Sequence, residues 1–163
     1  MRDTVGRREG NYWVGPDAAL NAQASMGARS FTSVLRSFYE TVEGELSFLI
    51  DEGMAGPRRD TEVMPTVSYA RPSLGYDISL DVREGKIVTT GWRNDGDLPQ
   101  SANLEALVEA SGLAPRQRVS LSAQSRFALT KSAASQASWV RRVHPLLTGD
   151  DGLDLVRRAS EIA

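Results

Sequence analysis

The chain has no cysteine, a single histidine (His144) and two lysines (Lys86 and Lys131) among its 163 residues. Without cysteine there is no disulfide, no thiolate zinc site and no cysteine nucleophile, as is usual in a reducing compartment. Any serine–histidine–acid arrangement has to use His144, and no G-x-S-x-G elbow accompanies it. A capping or surface role is the expectation for His144, because an imidazolium near a helix C-terminus is electrostatically favoured. No apolar run reaches the ~20 residues of a membrane span. Met1 to Gly10 is charged, where a secretory signal would carry an apolar core. These absences lead to the expectation of a cytoplasmic protein with no membrane association.

Phosphate and metal signatures are also missing. G-x-G-x-x-G does not occur, and Lys131-Ser132 lacks the flanking glycines of a phosphate-binding loop. Asp150-Asp151-Gly152-Leu153-Asp154 lacks the alternating ligands and distal glutamate of a calcium loop. Asp95 and Asp97, like that run, read as turn and capping residues. Asp77 and Asp81 lie on the same side of one strand but roughly 13–14 Å apart, too far to act on one bond. The reading is therefore of no catalytic residues, no metal and no cofactor.

What the sequence does have is charge of one sign in one place. From Ala110 to Gly149 it contains no aspartate or glutamate, yet it carries Arg116, Arg118, Arg126, Lys131, Arg141 and Arg142. The acids gather at Glu40, Glu43, Glu45, Asp51 and Glu52, and again between Asp77 and Glu109. A net charge of −2 thus conceals a basic third and an acidic middle, an asymmetry that steers charged partners. Arginine far outnumbers lysine. GC-rich codon use accounts for that, and so does a demand for planar guanidinium groups that bind carboxylate or phosphate.

The length suits one domain with a sizeable core. Residues 1–28 read as an N-terminal arm, partly docked, with Asn11 to Val14 as an added edge strand and Asp17 to Ala24 as a short helix. Residues 29–163 read as a single α+β domain. Phe31, Val34, Leu35, Phe38, Val42, Leu46, Leu49 and Ile50 keep helical spacing, with Ser30 as N-cap and Gly53 as left-handed stop. Glu40, Glu43 and Glu45 fall off that stripe, on the wet side. After a loop from Gly53 to Asp60 the period changes to two, giving antiparallel strands at 63–69, 76–82 and 86–93. Pro65 places the first of these at an edge, and Gly85 closes a hairpin between the other two. Helix one is the expected cover of the dry sheet face. Asn94 to Asp97 ends the sheet, and Asn103 caps a short helix stopped by Gly112. Residues 118–123 alternate like a strand. Helices follow over 130–147, with Ala133, Ala134, Ala137, Val140 and Val143 inward, and after Asp150 or Asp151. The architecture expected is a three- to four-stranded antiparallel sheet packed by a long N-terminal helix, with C-terminal helices.

Three strings carry a resemblance: Phe38-Tyr39-Glu40 to Phe48-Leu49, Tyr76 to Gly85, and Leu146 to Asp150. In them the chain resembles small bacterial α+β proteins of unknown function. That resemblance implies the architecture and no activity. Proteins of this size and style often serve as immunity or accessory partners.

The function expected is that of a non-catalytic factor binding another protein, recognised by charge complementarity. Nucleic-acid binding through the basic 116–142 segment is the alternative, since Phe127 and Trp139 stand beside Arg126 and Arg141-Arg142. The candidate partner-binding residues are Trp92, Arg93, Arg126, Trp139, Arg141 and Arg142. Arg141 and Arg142 could equally serve their helix C-terminus or pair with the acids of helix one. Trp92 and Arg93 are adjacent on a strand, so one faces the core and the other, with Tyr69, Arg71 or Tyr76, is expected on an exposed sheet face; Trp92 packed under helix one is the plainer arrangement.

Overall fold

The computed structural model describes residues 23–162, with side chains from 32 onward. The expected arm, strand at 11–14 and short helix at 17–24 lie for the most part outside the described residues. Helix α1 covers Gln23–Glu45, so Ser30 is an interior position and not its cap, and Gly27 does not interrupt it. The chain divides into two units between Ser37 and Phe38. Of the first, Val34 and Leu35 are half-buried.

In the second unit, the end of α1 buries Phe38 and Val42 and leaves Glu40 and Glu45 in solvent, and Leu46 in the turn that follows is buried too. After Glu45 a one-turn helix α2, Phe48–Asp51, buries Leu49. It stops at Gly53, whose φ of 91° lets Met54 N donate back to Leu49 O at 3.0 Å.

A five-stranded antiparallel meander follows, in the order β1 (Ala55–Asp60), β2 (Thr66–Arg71), β3 (Leu74–Asp81), β4 (Lys86–Asp95) and β5 (Leu98–Asn103). It has two more strands than the three that alternation revealed. The segment expected to be a loop, 53–60, holds β1, an exposed edge strand with nothing apolar to alternate. Asn94 to Asp97, expected to end the sheet, instead turns it: Gly96 adopts φ 63° and Asp95 pairs with Leu98 across the hairpin. Pro65 accordingly does not mark an edge, since its carbonyl accepts from Leu80 N at 2.8 Å. The edges are β1 and β5, which carry Pro57 and Pro99 where missing amides cost no ladder bonds.

The β3–β4 hairpin keeps the expected form, with Gly85 at φ 65°. β5 pairs with β4 only from Thr90 to Asp95. The remaining half of β4 is filled by the extended segment 120–123, through Ile87 N to Leu121 O and Ala123 N to Gly85 O, both 2.8 Å. The strand expected at 118–123 is thus a single bridge, Lys86 to Ser122, entered through a 3-10 turn at Arg116–Arg118.

Alternate residues put Val67, Tyr69, Leu74, Tyr76, Ile78, Leu80 and Ile87 on one buried face. Each full burial of a large apolar side chain contributes ~1.5–3 kcal/mol. The C-terminal part of the chain packs helices on the sheet. α3 (Leu104–Ala110) packs on β4 and β5, α4 (Arg126–Thr148) on β4, and α5 (Gly152–Ile162) on β4 and β5. α3 is capped as expected, by Asn103 Oδ1 accepting from Ala106 N at 2.9 Å, and ends at Gly112 with φ 77°. α4 starts four residues before the expected Thr130, because Ser125 Oγ accepts from Ala128 N at 3.1 Å.

Candidate functional site

α4 runs for 23 residues and separates two kinds of polar chemistry. Toward the sheet it buries Leu129, Ala133, Ala137, Val140, Val143 and Leu147, with Ser132, Gln136 and His144 in the same stripe. Every one of those polar groups has partners. Gln136 Oε1 accepts from Thr89 Oγ1 at 2.6 Å, while its Nε2 donates to Ile87 O at 3.0 Å and Ser120 O at 2.8 Å. Ser132 Oγ donates to Ser122 O at 2.7 Å and lies 3.1 Å from Ser120 Oγ. This network clamps α4, β4 and the 120–123 segment together, and it explains why that segment stays extended without a full ladder.

His144 is neither a surface nor a capping residue; only 4% of it is exposed. Its Nδ1 lies 2.7 Å from Tyr76 Oη, and its Nε2 lies 4.0 Å from Glu52 Oε1. Burial drives the Tyr76 phenol well above its usual range, so it stays protonated. The hydrogen-bond network then assigns Tyr76 O–H as donor to Nδ1 and puts the imidazole proton on Nε2, facing Glu52. Burial also lowers the His144 pKa; Glu52 opposes that shift and Arg71 reinforces it. A neutral imidazole joins three elements here: β3, α4 and the end of α2.

The last turn of α4 contains Pro145, which removes one amide from the helix. Thr148 Oγ1 donates to His144 O at 3.0 Å in the same turn. Arg93, from the buried side of β4, donates Nη1 to Leu147 O at 2.7 Å and to Gly149 O at 2.5 Å. A side chain at position 152 would collide with Leu147 O and with Arg93 Nη1, which is why glycine starts α5. Arg93 is thereby occupied as the cap of α4.

Trp92 points the other way, to the sheet face opposite the one that carries Tyr76 and Arg93. It is paired with Gly75, where an added Cβ would come within 2.6 Å of the indole Cζ2. The indole therefore lies flat across β3.

The outer side of α4 carries Arg126, Phe127, Lys131, Arg141 and Arg142, all exposed. Arg126 and Arg142 are separated by roughly 24 Å along the helix. Trp139 and Arg142 do meet: the guanidinium lies 4.9 Å from the indole centroid, and Trp139 Nε1 donates to Arg118 O at 3.3 Å. Arg141 turns to the other side and stacks on Phe48 at 4.0 Å. Of the cations between Ala110 and Gly149, Arg116 pairs with Glu109 at 3.1 Å. Among the described residues, Arg118, Arg126, Lys131, Arg141 and Arg142 have no carboxylate partner. The acids of helix one do not neutralise them; Glu43 is held instead by Arg59 of β1, at 2.6 Å.

The six residues singled out from sequence thus fall into three places: Trp92 on the open sheet face, Arg93 under it, and the other four along α4. Tyr69 and Tyr76, expected beside them on an exposed sheet face, are buried on the core face, and Thr89, Ser120 and Gln136 were missed. The signal for Gln136 was present, since it shares a helical stripe with Ala133, Ala137 and Val140. A polar residue in such a stripe implies a buried partner.

No protein-family model, curated protein or solved structure matches the chain. No described helix is long and apolar enough to cross a membrane, and no group of three acidic or histidine residues among those described could hold a metal ion.

Proposed function

We propose that this chain is a non-catalytic protein-binding factor, of immunity or accessory type, that recognises an acidic partner surface through the outer side of α4. The observation that carries the reading is the set of four cations there, Arg126, Lys131, Arg141 and Arg142, without a carboxylate partner among the described residues, with Arg118 as a fifth in the preceding 3-10 turn. Polar groups on the inner side of the same helix are all satisfied within the fold, so the outer charges are not needed to hold it together. Stacking supports the reading further. Arg141 on Phe48 and Arg142 on Trp139 present guanidinium groups with reduced freedom, which lowers the ordering cost of binding a carboxylate.

The test is retention of a host protein by the immobilised chain, with and without nuclease. A stoichiometric, nuclease-resistant partner that elutes with salt is expected. The Arg141→Glu, Arg142→Glu double variant should weaken its binding by about tenfold or more. Unchanged retention sinks the assignment of this surface. Material that disappears on nuclease treatment and shows a steep salt response replaces it with nucleic-acid binding through residues 116–142.

A further inference from the structure

On the open face of the sheet, we infer that Trp92 and Asp77 form a docking platform for an arginine side chain of a partner protein. This face is distinct from α4. The sheet residues engaged by the C-terminal helices, Tyr76, Thr89, Gly91 and Arg93, all belong to the opposite face.

The composition of the open face is unusual for a surface left to water. Besides Asp77, its positions include Thr66, Ser68, Ala70, Ser79, Val88 and Thr90 on the inner strands and Ser101 on β5, and the long charged chains that ordinarily solvate a sheet stand at its margins, as Arg58 and Lys86 do. Small hydroxyl side chains have little rotamer entropy to lose on contact. In their midst lies one large side chain, Trp92, set flat because Gly75 opposite has no Cβ to lift it. Its inner face rests on β3 and its outer face is the platform.

The charge beside it selects the occupant. Asp77 lies two residues along β3 from Gly75 on the same face, roughly 7 Å away. One carboxylate oxygen accepts from Ser68 Oγ at 2.7 Å, and among the described residues the side chain has no cationic partner. A guanidinium stacked on the outer face of the indole spans the gap to the second oxygen. It would combine a cation–π contact with a charge-assisted hydrogen bond. This chain already stacks guanidinium groups on Tyr39, Phe48 and Trp139. Trp92 has the same kind of surface, and among the described residues no guanidinium stacks on it. A lysine ammonium has no planar face to lay on the ring, so arginine is favoured over lysine.

The experiment is a nitrogen-resolved NMR titration with N-acetyl-arginine amide, with N-acetyl-lysine amide as comparison. Saturable shifts centred on the Trp92 indole N–H and the Thr90 and Ala70 amides are expected, at roughly millimolar affinity. Arginine should bind at least about threefold more tightly than lysine. Trp92→Ala should abolish the response. Because that variant also uncovers Gly75, Asp77→Asn, which keeps the shape of the side chain, provides the second readout and should weaken binding about fivefold. Shifts centred on the acidic end of α1, equal responses to arginine and lysine, or an unchanged affinity in Asp77→Asn each overturn the proposal. So does a response at Trp92 to a soluble oligosaccharide with none to arginine, which would make the platform a sugar site.

Discussion

Seen from the sheet, α4 offers Ser132, Gln136 and His144, each hydrogen-bonded within the fold. Seen from solvent, it offers Arg126, Lys131, Arg141 and Arg142, none with a carboxylate among the described residues. The difference teaches where polarity contributes to folding. A buried polar group costs its full desolvation unless satisfied, so the inner set is tied to particular backbone atoms of β4 and the 120–123 segment. An exposed guanidinium pays almost nothing to remain unpaired, so the outer set is free to be selected for something else. The two sides of one helix should therefore respond oppositely to substitution.

The largest effect is expected on the inner side. Gln136→Leu keeps approximate volume but strands Thr89 Oγ1, Ile87 O and Ser120 O without their partner. It should destabilise the fold by about 3 kcal/mol, read by chemical denaturation. Neutral behaviour would show that water replaces the amide, and the contrast between the two sides would shrink.

A smaller and pH-dependent effect is expected at the Tyr76–His144 pair. The folded-state pKa of His144 lies below its ordinary value because of burial. Its contribution to stability is then fully present above about pH 6.5, the unfolded value, and is lost as pH falls through the folded value. The charged or titratable groups facing it are Tyr76 from β3, Glu52 after α2 and Arg71 from β2. His144→Gln should flatten the stability–pH curve below about pH 6.5 relative to the parent chain. An equally steep decline in the variant would assign acid sensitivity to carboxylates elsewhere. Tyr76→Phe, measured at neutral pH, should cost about 1–2 kcal/mol by leaving Nδ1 without its donor.

The smallest effect on stability belongs to the outer side. Arg141→Glu with Arg142→Glu removes two exposed cation–π contacts, worth roughly 0.5–1 kcal/mol each, and relieves crowding of like charge. Its melting temperature should stay within about 5 °C of the parent. A larger fall would mean that these side chains serve the fold, and the proposed binding role would lose its main support.

How much of this could be read in advance depended on the kind of signal. The apolar stripe of helix one, the alternation in β2 to β4, the positive φ at Gly85 and the Asn103 cap were all legible, because each is written in adjacent residues. β1 was not: Ala55 to Asp60 is an exposed edge, with no buried face to impose alternation. β5 was missed although Asp95-Gly96 is a hairpin signal, because Leu98 and Pro99 break the pattern expected after it. The site divides likewise. The acid-free stretch was visible by inspection, whereas the division of Trp92 from Arg93, the burial of His144 and the isolation of Arg141 and Arg142 from helix one were not.

The sequence by itself determined the α+β class, the meander and the concentration of positive charge between Ala110 and Gly149, since periodicity and charge order are local properties of a chain. Only the tertiary structure decided which charges are neutralised and which polar groups are buried. Those outcomes depend on pairs such as Tyr76 with His144 or Arg93 with Leu147, more than fifty residues apart in sequence. No local pattern specifies a partner at that separation; it is fixed when α4 packs on β4 and its buried polar groups meet those of the sheet.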